Sequence, residues 1–242
     1  MYDPRTFRAL VSAAGLTTFE VRVAEADLQV AAARDLSGAA LSAIHRIRGR
    51  IEDFCKTHPD FQTTLEPYVR EDKSWPHEIL RMIRASALTG TGPTSTIAGV
   101  ITEYVGRELL EESDEVIVEN NNDVFVACTT ARTFAIYAGE SPYSMKLGIE
   151  IDPAMSPVGI ATSSGTFGEG LSLGMCDAAV VVSDDPVLAD AAATGFGNRI
   201  SRPEDIEGAL DWVMAIPGII GAVGIIGGAI GIRGDALQIV EL

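Results

Sequence analysis

Asp190 and Thr194 stand four residues apart in the stretch V-L-A-D-A-A-A-T-G-F-G-N at 187–198. On an α-helix that spacing puts both side-chain oxygens on one face. A carboxylate and a hydroxyl so placed suit a hard cation such as Mg²⁺, which keeps several waters and takes its other ligands from a phosphate. A solvated acid near a helix start would leave the same trace. Just upstream, Ala161-Thr162-Ser163-Ser164-Gly165-Thr166-Phe167-Gly168-Glu169-Gly170 gathers hydroxyls and glycines behind an expected strand. Backbone N–H groups of such a loop can cradle phosphate. The loop matches neither G-x-x-x-x-G-K-[ST] nor G-x-G-x-x-G, and a surface turn has a similar composition. Thr94-Ser95-Thr96, behind Gly92-Pro93, opens a helix whose N-terminus is a ready anion site. Glu119-Asn120-Asn121-Asn122-Asp123 reads either as a tight turn, since Asn tolerates left-handed geometry, or as a turn that carries Asp123 to a ligand.

These residues need a frame. Asp185-Pro186 is a helix start, with the carboxylate as cap and proline in the first turn, so a helix is expected over 187–198. Residues 17–33 alternate as one or two strands with a turn near Glu25-Ala26-Asp27. Leu41, Ile44, Ile47, Ile51 and Phe54 recur at helical spacing. Residues 57–75 form a polar, proline-broken connector, and a second helix runs from Ile79 to Leu88. A third runs from Thr94 to Leu110, with Ser95, Gly99, Thr102 and Gly106 as a stripe of small residues where a backbone or a ligand could lie close. From Glu115 the period changes to two. Strands are expected at 116–118, 124–126, 133–137, 145–151, 158–162 and 178–182. Ser201-x-x-Glu204 reads as a capping box ahead of a helix from Pro203 to Met214. Strands and helices arrive in runs, so the class is α+β, with mixed or antiparallel sheets packed against helices in one domain over 1–242.

Composition excludes several functions. The chain of 242 residues carries a formal charge of −16, which leaves no basic patch for a nucleic acid. Cys55, Cys128 and Cys176 lie far apart, as buried thiols in a reducing compartment would, and His45, His58 and His77 form neither a ligand pair nor a triad. The N-terminus has no apolar signal segment, and a cytoplasmic protein is expected. Residues 212–232 lack any charge and are long enough for a bilayer, with Gly224-x-x-x-Gly228 as a helix-pairing motif. Pro217 and the Gly227-Gly228 pair favour a buried hairpin instead, with Gln238-Ile239-Val240 as its continuation.

Four segments, namely 93–106, the 119–123 turn, 159–165 and Ala189-Asp190-Ala-Ala-Ala-Thr194, occur here in the order found in uncharacterised protein family 0280. Over residues 35–242 the chain resembles that family, a short branch similar to the ApbE flavin transferases. The transferases take FAD, use Mg²⁺ and move FMN onto a Thr or Ser hydroxyl of a target protein. The resemblance therefore implies Mg²⁺ at Asp190 and Thr194, with Asp190 and Glu169 as catalytic candidates. It implies flavin or phosphate contacts from Thr94, Ser95, Thr96, Asn121, Asn122, Asp123, Thr162, Ser163, Ser164, Gly165 and Thr166. It also implies a protein acceptor, and a homo-oligomer such as a dimer is expected. The chain departs from the pattern twice. Asn121-Asn122 stand where Gly-Gly is usual, and Glu169-Gly170 where the short branch has His-Ser. The other readings are a non-catalytic flavin or nucleotide binder, and a structural oligomer joined through the apolar C-terminal hairpin.

Overall fold

The computed structural model describes residues 13–168 and 171–242. Glu169 and Gly170 lie outside the described residues. Eight strands make one antiparallel sheet: β1 (Thr17–Val23), β2 (Ala26–Ala32), β3 (Val116–Asn120), β4 (Asp123–Ala127), β7 (Val158–Ser163), β8 (Ala178–Ser183), β9 (Ile219–Ile226) and β10 (Ala229–Arg233), adjacent in that order. A smaller antiparallel sheet has the order β11 (Gln238–Glu241), β6 (Leu147–Ile151), β5 (Arg132–Ala135). The helices are α1 (Ser37–Thr57), α2 (Pro59–Thr63), α3 (His77–Thr89), α4 (Ile97–Leu109), α5 (Pro186–Gly197) and α6 (Ile206–Met214). The fold class is α+β.

The large sheet is covered on both faces. In β8, Ala179 and Val181 join the core beneath the helices, while Ala178, Val180 and Val182 join a second core. That second core is shared with Phe134, Ile149 and Ile151 of the small sheet. The period of two puts successive side chains on opposite faces, so a strand with apolar cover on both sides reads as an unbroken apolar run. This is why β8 is A-A-V-V-V-S and wholly buried.

Several expectations shift at the element level. Leu41 is 40% exposed, and the buried stripe of α1 runs through Ala40, Ala43, Ile44, Ile47, Ile51 and Phe54. The third helix begins later than expected, because Pro93–Thr96 is a 3₁₀ turn and α4 starts at Ile97. At the start of α6 the acid that closes on the backbone is Asp205, which accepts from the N–H groups of Ser201 and Arg202 at 3.1 Å each, rather than Glu204. The uncharged stretch 212–232 holds the end of α6 and the β9–β10 hairpin, which turns at Gly227 with φ +55°. Among the described residues no helix is long and apolar enough to cross a membrane. The segment at 238–241 does not continue that hairpin; as β11 it pairs with β6 in the other sheet.

The stripe of small residues on α4 sets two close approaches. A Cβ at Gly106 would lie 2.1 Å from the buried ring of Phe125, and one at Gly99 would lie 2.5 Å from the Pro186 carbonyl oxygen on α5. Alanine favours a helix over glycine by about 1 kcal/mol. Overpacking costs about 1–3 kcal/mol, and a backbone carbonyl cannot swing aside. Gly99→Ala is therefore expected to destabilise the protein by up to about 2 kcal/mol net in urea unfolding; a gain in stability would contradict this packing.

Candidate functional site

Asp185 caps α5, its Oδ1 accepting from the N–H groups of Val187 at 2.9 Å and Leu188 at 3.3 Å. One and a half turns on, Asp190 is 8% exposed and Thr194 follows on the same face. Both line a cavity of about 730 Å³, within the usual range of roughly 300–1,000 Å³ for small-molecule sites. Its walls come from segments far apart in the chain. Thr94 and Ser95 lie before α4, Asn121, Asn122 and Asp123 in the β3–β4 turn, and Thr162, Ser163, Ser164 and Thr166 at the end of β7 and beyond. Asn121 and Asn122 have φ of +53° and +74°, the left-handed pair that a two-residue hairpin turn requires and that glycine adopts most freely. Both residues line the cavity.

Two of the expected residues are placed elsewhere. Thr96 is fully buried and its hydroxyl donates to the Pro93 carbonyl at 2.6 Å, closing its own 3₁₀ turn. Gly165 does not line the cavity. Its N–H donates to the Cys176 carbonyl at 2.9 Å, and a Cβ there would stand 2.2 Å from the Gly174 oxygen, so close backbone packing explains this glycine.

In the loop after β7, several backbone N–H groups already have partners. Ser164 Oγ accepts from the N–H groups of Thr166 at 3.1 Å and Phe167 at 3.2 Å, while the Thr166 hydroxyl donates to Asp177 at 2.9 Å. The N–H groups of 165–167 are thus committed within the connection from β7 to β8, while Gly168 lines the cavity with its backbone. The start of α4 is committed as well. The Gly99 N–H donates to Asp190 Oδ2 at 2.8 Å, with the Ala98 N–H alongside. The anion at this helix start is Asp190.

The electrostatics are one-sided. Burial raises the Asp190 carboxyl to about 7, against the opposing pull of the Gly99 and Ala98 N–H groups. Burial, then the charges of Asp190 and Glu119, push Asp123 well above the carboxylate range, and the Thr162 backbone opposes them. Arg48 is the one cation in the described lining, and it is bonded to Glu25 at 2.8 Å and Glu52 at 3.1 Å. Sequence reasoning passed over Asn120, Tyr137, Phe167, Leu173 and Asn198, which also line the cavity. The Tyr137 and Phe167 rings meet edge to face with centroids 4.7 Å apart. Leu171 and Leu173, 64% and 66% exposed, stand at this rim.

A cation is tested by the donors. Among the described residues no group of three or more His, Cys, Asp or Glu is arranged to hold a metal. The cavity offers hard oxygens instead: the carboxylates of Asp190 and Asp123 and the Thr194 hydroxyl. That set suits Mg²⁺ held by one or two carboxylates and completed by water and phosphate, and does not suit a soft ion in an all-protein cage. A cation would also compensate two buried acids, of which Asp123 is raised further by the charge of Asp190.

Comparisons with known proteins place the chain in a family and match its fold. The family model described as AbpE bacteria matches residues 8–230. A UPF0280 protein of Methanocella arvoryzae is 38% identical over 225 residues, covering 93% of this chain and 91% of the relative. Another, from Methanosarcina acetivorans, is 38% identical over 203 residues, covering 83% and 79%. Among solved structures, flavin transferase ApbE from Vibrio cholerae superposes with a TM-score of 0.60 at 13% identity, covering 93% and 96%. The apo form of Pseudomonas stutzeri flavinyl transferase ApbE gives 0.57 at 13% identity, covering 93% and 94%. At these identities the structural likeness is one of fold.

Because Asp190 is more basic in the folded than in the unfolded chain, the folded state binds more protons as pH rises from about 4 to about 7. Its contribution is present at low pH and is lost as pH climbs through that window. Metal-free protein is therefore expected to lose stability on the order of a few kcal/mol between pH 4 and 8 from the Asp190–Asp123 pair. Asp190→Asn should flatten that loss in urea unfolding across the range. An unchanged pH profile in the variant would show that Asp190 is not a buried, strained acid.

Proposed function

The chain belongs to the UPF0280 proteins and to the family described as AbpE bacteria, and on that premise we propose that it is an ApbE-like flavin transferase that moves FMN from FAD to a protein Thr or Ser hydroxyl with Mg²⁺. The observation that carries the reading is the convergence of Thr94, Ser95, Asn121, Asn122, Asp123, Thr162 to Ser164, Thr166, Asp190 and Thr194 on one acidic, hydroxyl-lined cavity. A pyrophosphate cannot enter a wall of buried carboxylates without a cation between them. Asp190 and Thr194 would hold that cation, with Asp123 beside them. When bound, Mg²⁺ supplies neutralisation of the charge on the pyrophosphate and on the departing phosphate.

The chain's own residues do the rest. Ser163, Ser164 and Thr166 offer hydroxyls to the nucleotide, and Asn121 and Asn122 offer amides from the facing turn. In the transfer the acceptor hydroxyl forms a bond to the FMN phosphorus, the phosphoanhydride bond breaks and AMP leaves. The hydroxyl proton passes to a carboxylate, for which Asp190 and Glu169 are the candidates. Asn121-Asn122 and Glu169 favour a second reading, a flavin binder that does not transfer, because side chains and a carboxylate occupy positions where the family pattern has Gly-Gly and His-Ser.

FAD is expected to stabilise the protein only with Mg²⁺ present, by about 3 kcal/mol at a hundredfold excess over Kd, as a rise in Tm. Asp190→Ala should abolish that rise. AMP release together with the FMN mass on a Thr- or Ser-bearing acceptor identifies the transferase, and binding without either identifies the flavin binder. A Tm unmoved by FAD and Mg²⁺ together refutes both.

A further inference from the structure

We infer that Arg81, which lies outside the cavity, is the positioning residue that fixes Asp190 there by tying α3, α4 and the start of α5 together. Arg81 on α3 forks. Its Nη1 lies 2.6 Å from Glu103 Oε2 on α4, and its Nη2 lies 2.6 Å from Oδ1 of Asp185, the cap of α5. The Glu103 side chain is 3% exposed, and its other oxygen accepts from Arg107 Nε at 2.7 Å. Asp185 Oδ1 also takes the first N–H groups of α5. The guanidinium therefore joins a buried acid of one helix to the cap of another.

The second tie between those helices is the Gly99 N–H on Asp190 itself. Glu103 lies one turn after Gly99 on α4, and Asp185 about one and a half turns before Asp190 on α5. The two links bracket the contact where the Pro186 carbonyl and Asp190 Cβ press on Gly99, with no room for a methyl group. Release of the outer link lets α5 pivot about the inner one, and Asp190 with Thr194 would move relative to the Asn121–Asp123 wall. Only a planar fork reaches both acids at once, so a lysine can keep the charge and one partner but not both. Groups hydrogen-bonded directly to a metal ligand typically change affinity by 10–100-fold when removed, and Arg81, acting through Asp185 and Glu103, is expected at the low end of that range.

This rests on the proposed cation role of Asp190. The experiment measures the Mg²⁺ concentration for half-maximal FAD binding, followed by flavin fluorescence, in wild type and variants. Arg81→Met is expected to raise it about tenfold and Arg81→Lys about threefold. Leu210→Ala, a core truncation on α6 outside the cavity wall, should stay within about twofold despite lower stability. If Arg81→Met fails to fold, Arg81→Lys decides, because it leaves Glu103 with a charged partner. Values for both Arg81 variants within twofold of wild type, while Asp190→Asn loses Mg²⁺ dependence, would overturn the inference and leave the proposed function standing. An Asp190→Asn variant that binds FAD with unchanged Mg²⁺ dependence would remove the cation role, and the inference with it.

Discussion

The start of α4 is closed by a side chain from α5, and the rest of the site depends on that contact. The Gly99 N–H and its neighbour face the Asp190 carboxylate, so a helix start that could have received an external anion already holds an internal one. Backbone N–H groups favour the charged form, while burial disfavours it. Burial wins, and the carboxyl is held near neutrality. The result is an acid fixed in position by the backbone and left short of positive charge.

That contact requires two helices to approach more closely than side chains ordinarily allow. Gly99 permits it on one side, and the Pro186 carbonyl presses on it from the other. Pro186 also lies 2.4 Å from where a Cβ of Gly159 would stand, so β7 is drawn in against the same point. Three elements therefore meet with almost no side-chain spacer. The strand end carrying Thr162 and Ser163, the start of α4 and the face of α5 become one wall of the cavity. A sheet buried on both faces gives this wall a stiff support, because neither β4 nor β7 can shift without disturbing two cores.

Much of the frame was legible from local pattern. The cap at Asp185, the four-residue spacing of Asp190 and Thr194, the Asn turn and the apolar strands all follow from chemistry acting over a few residues. Boundaries were less legible where a local signal had two outcomes. Thr94–Thr96 could open a helix or form a 3₁₀ turn, and Leu41 sat at core spacing yet faces solvent because Ala40 and Ala43 fit closer beneath the sheet. β11 was misplaced for a different reason. Its partner β6 lies some ninety residues earlier, and nothing near 238–241 encodes that pairing.

By itself the sequence determined which residues could act as oxygen donors, and it set the α+β class, because hydrophobic period and capping are properties of adjacent residues. It could not determine which polar groups remain available. The N–H groups of 165–167 are spent inside their loop and the Thr96 hydroxyl inside its turn, whereas Asp190 is spent on α4. Only the tertiary structure decided this, since a hydrogen bond between residues 91 positions apart depends on how helices pack, and so do the burial that raises both acids and the like-charge proximity that raises Asp123 further.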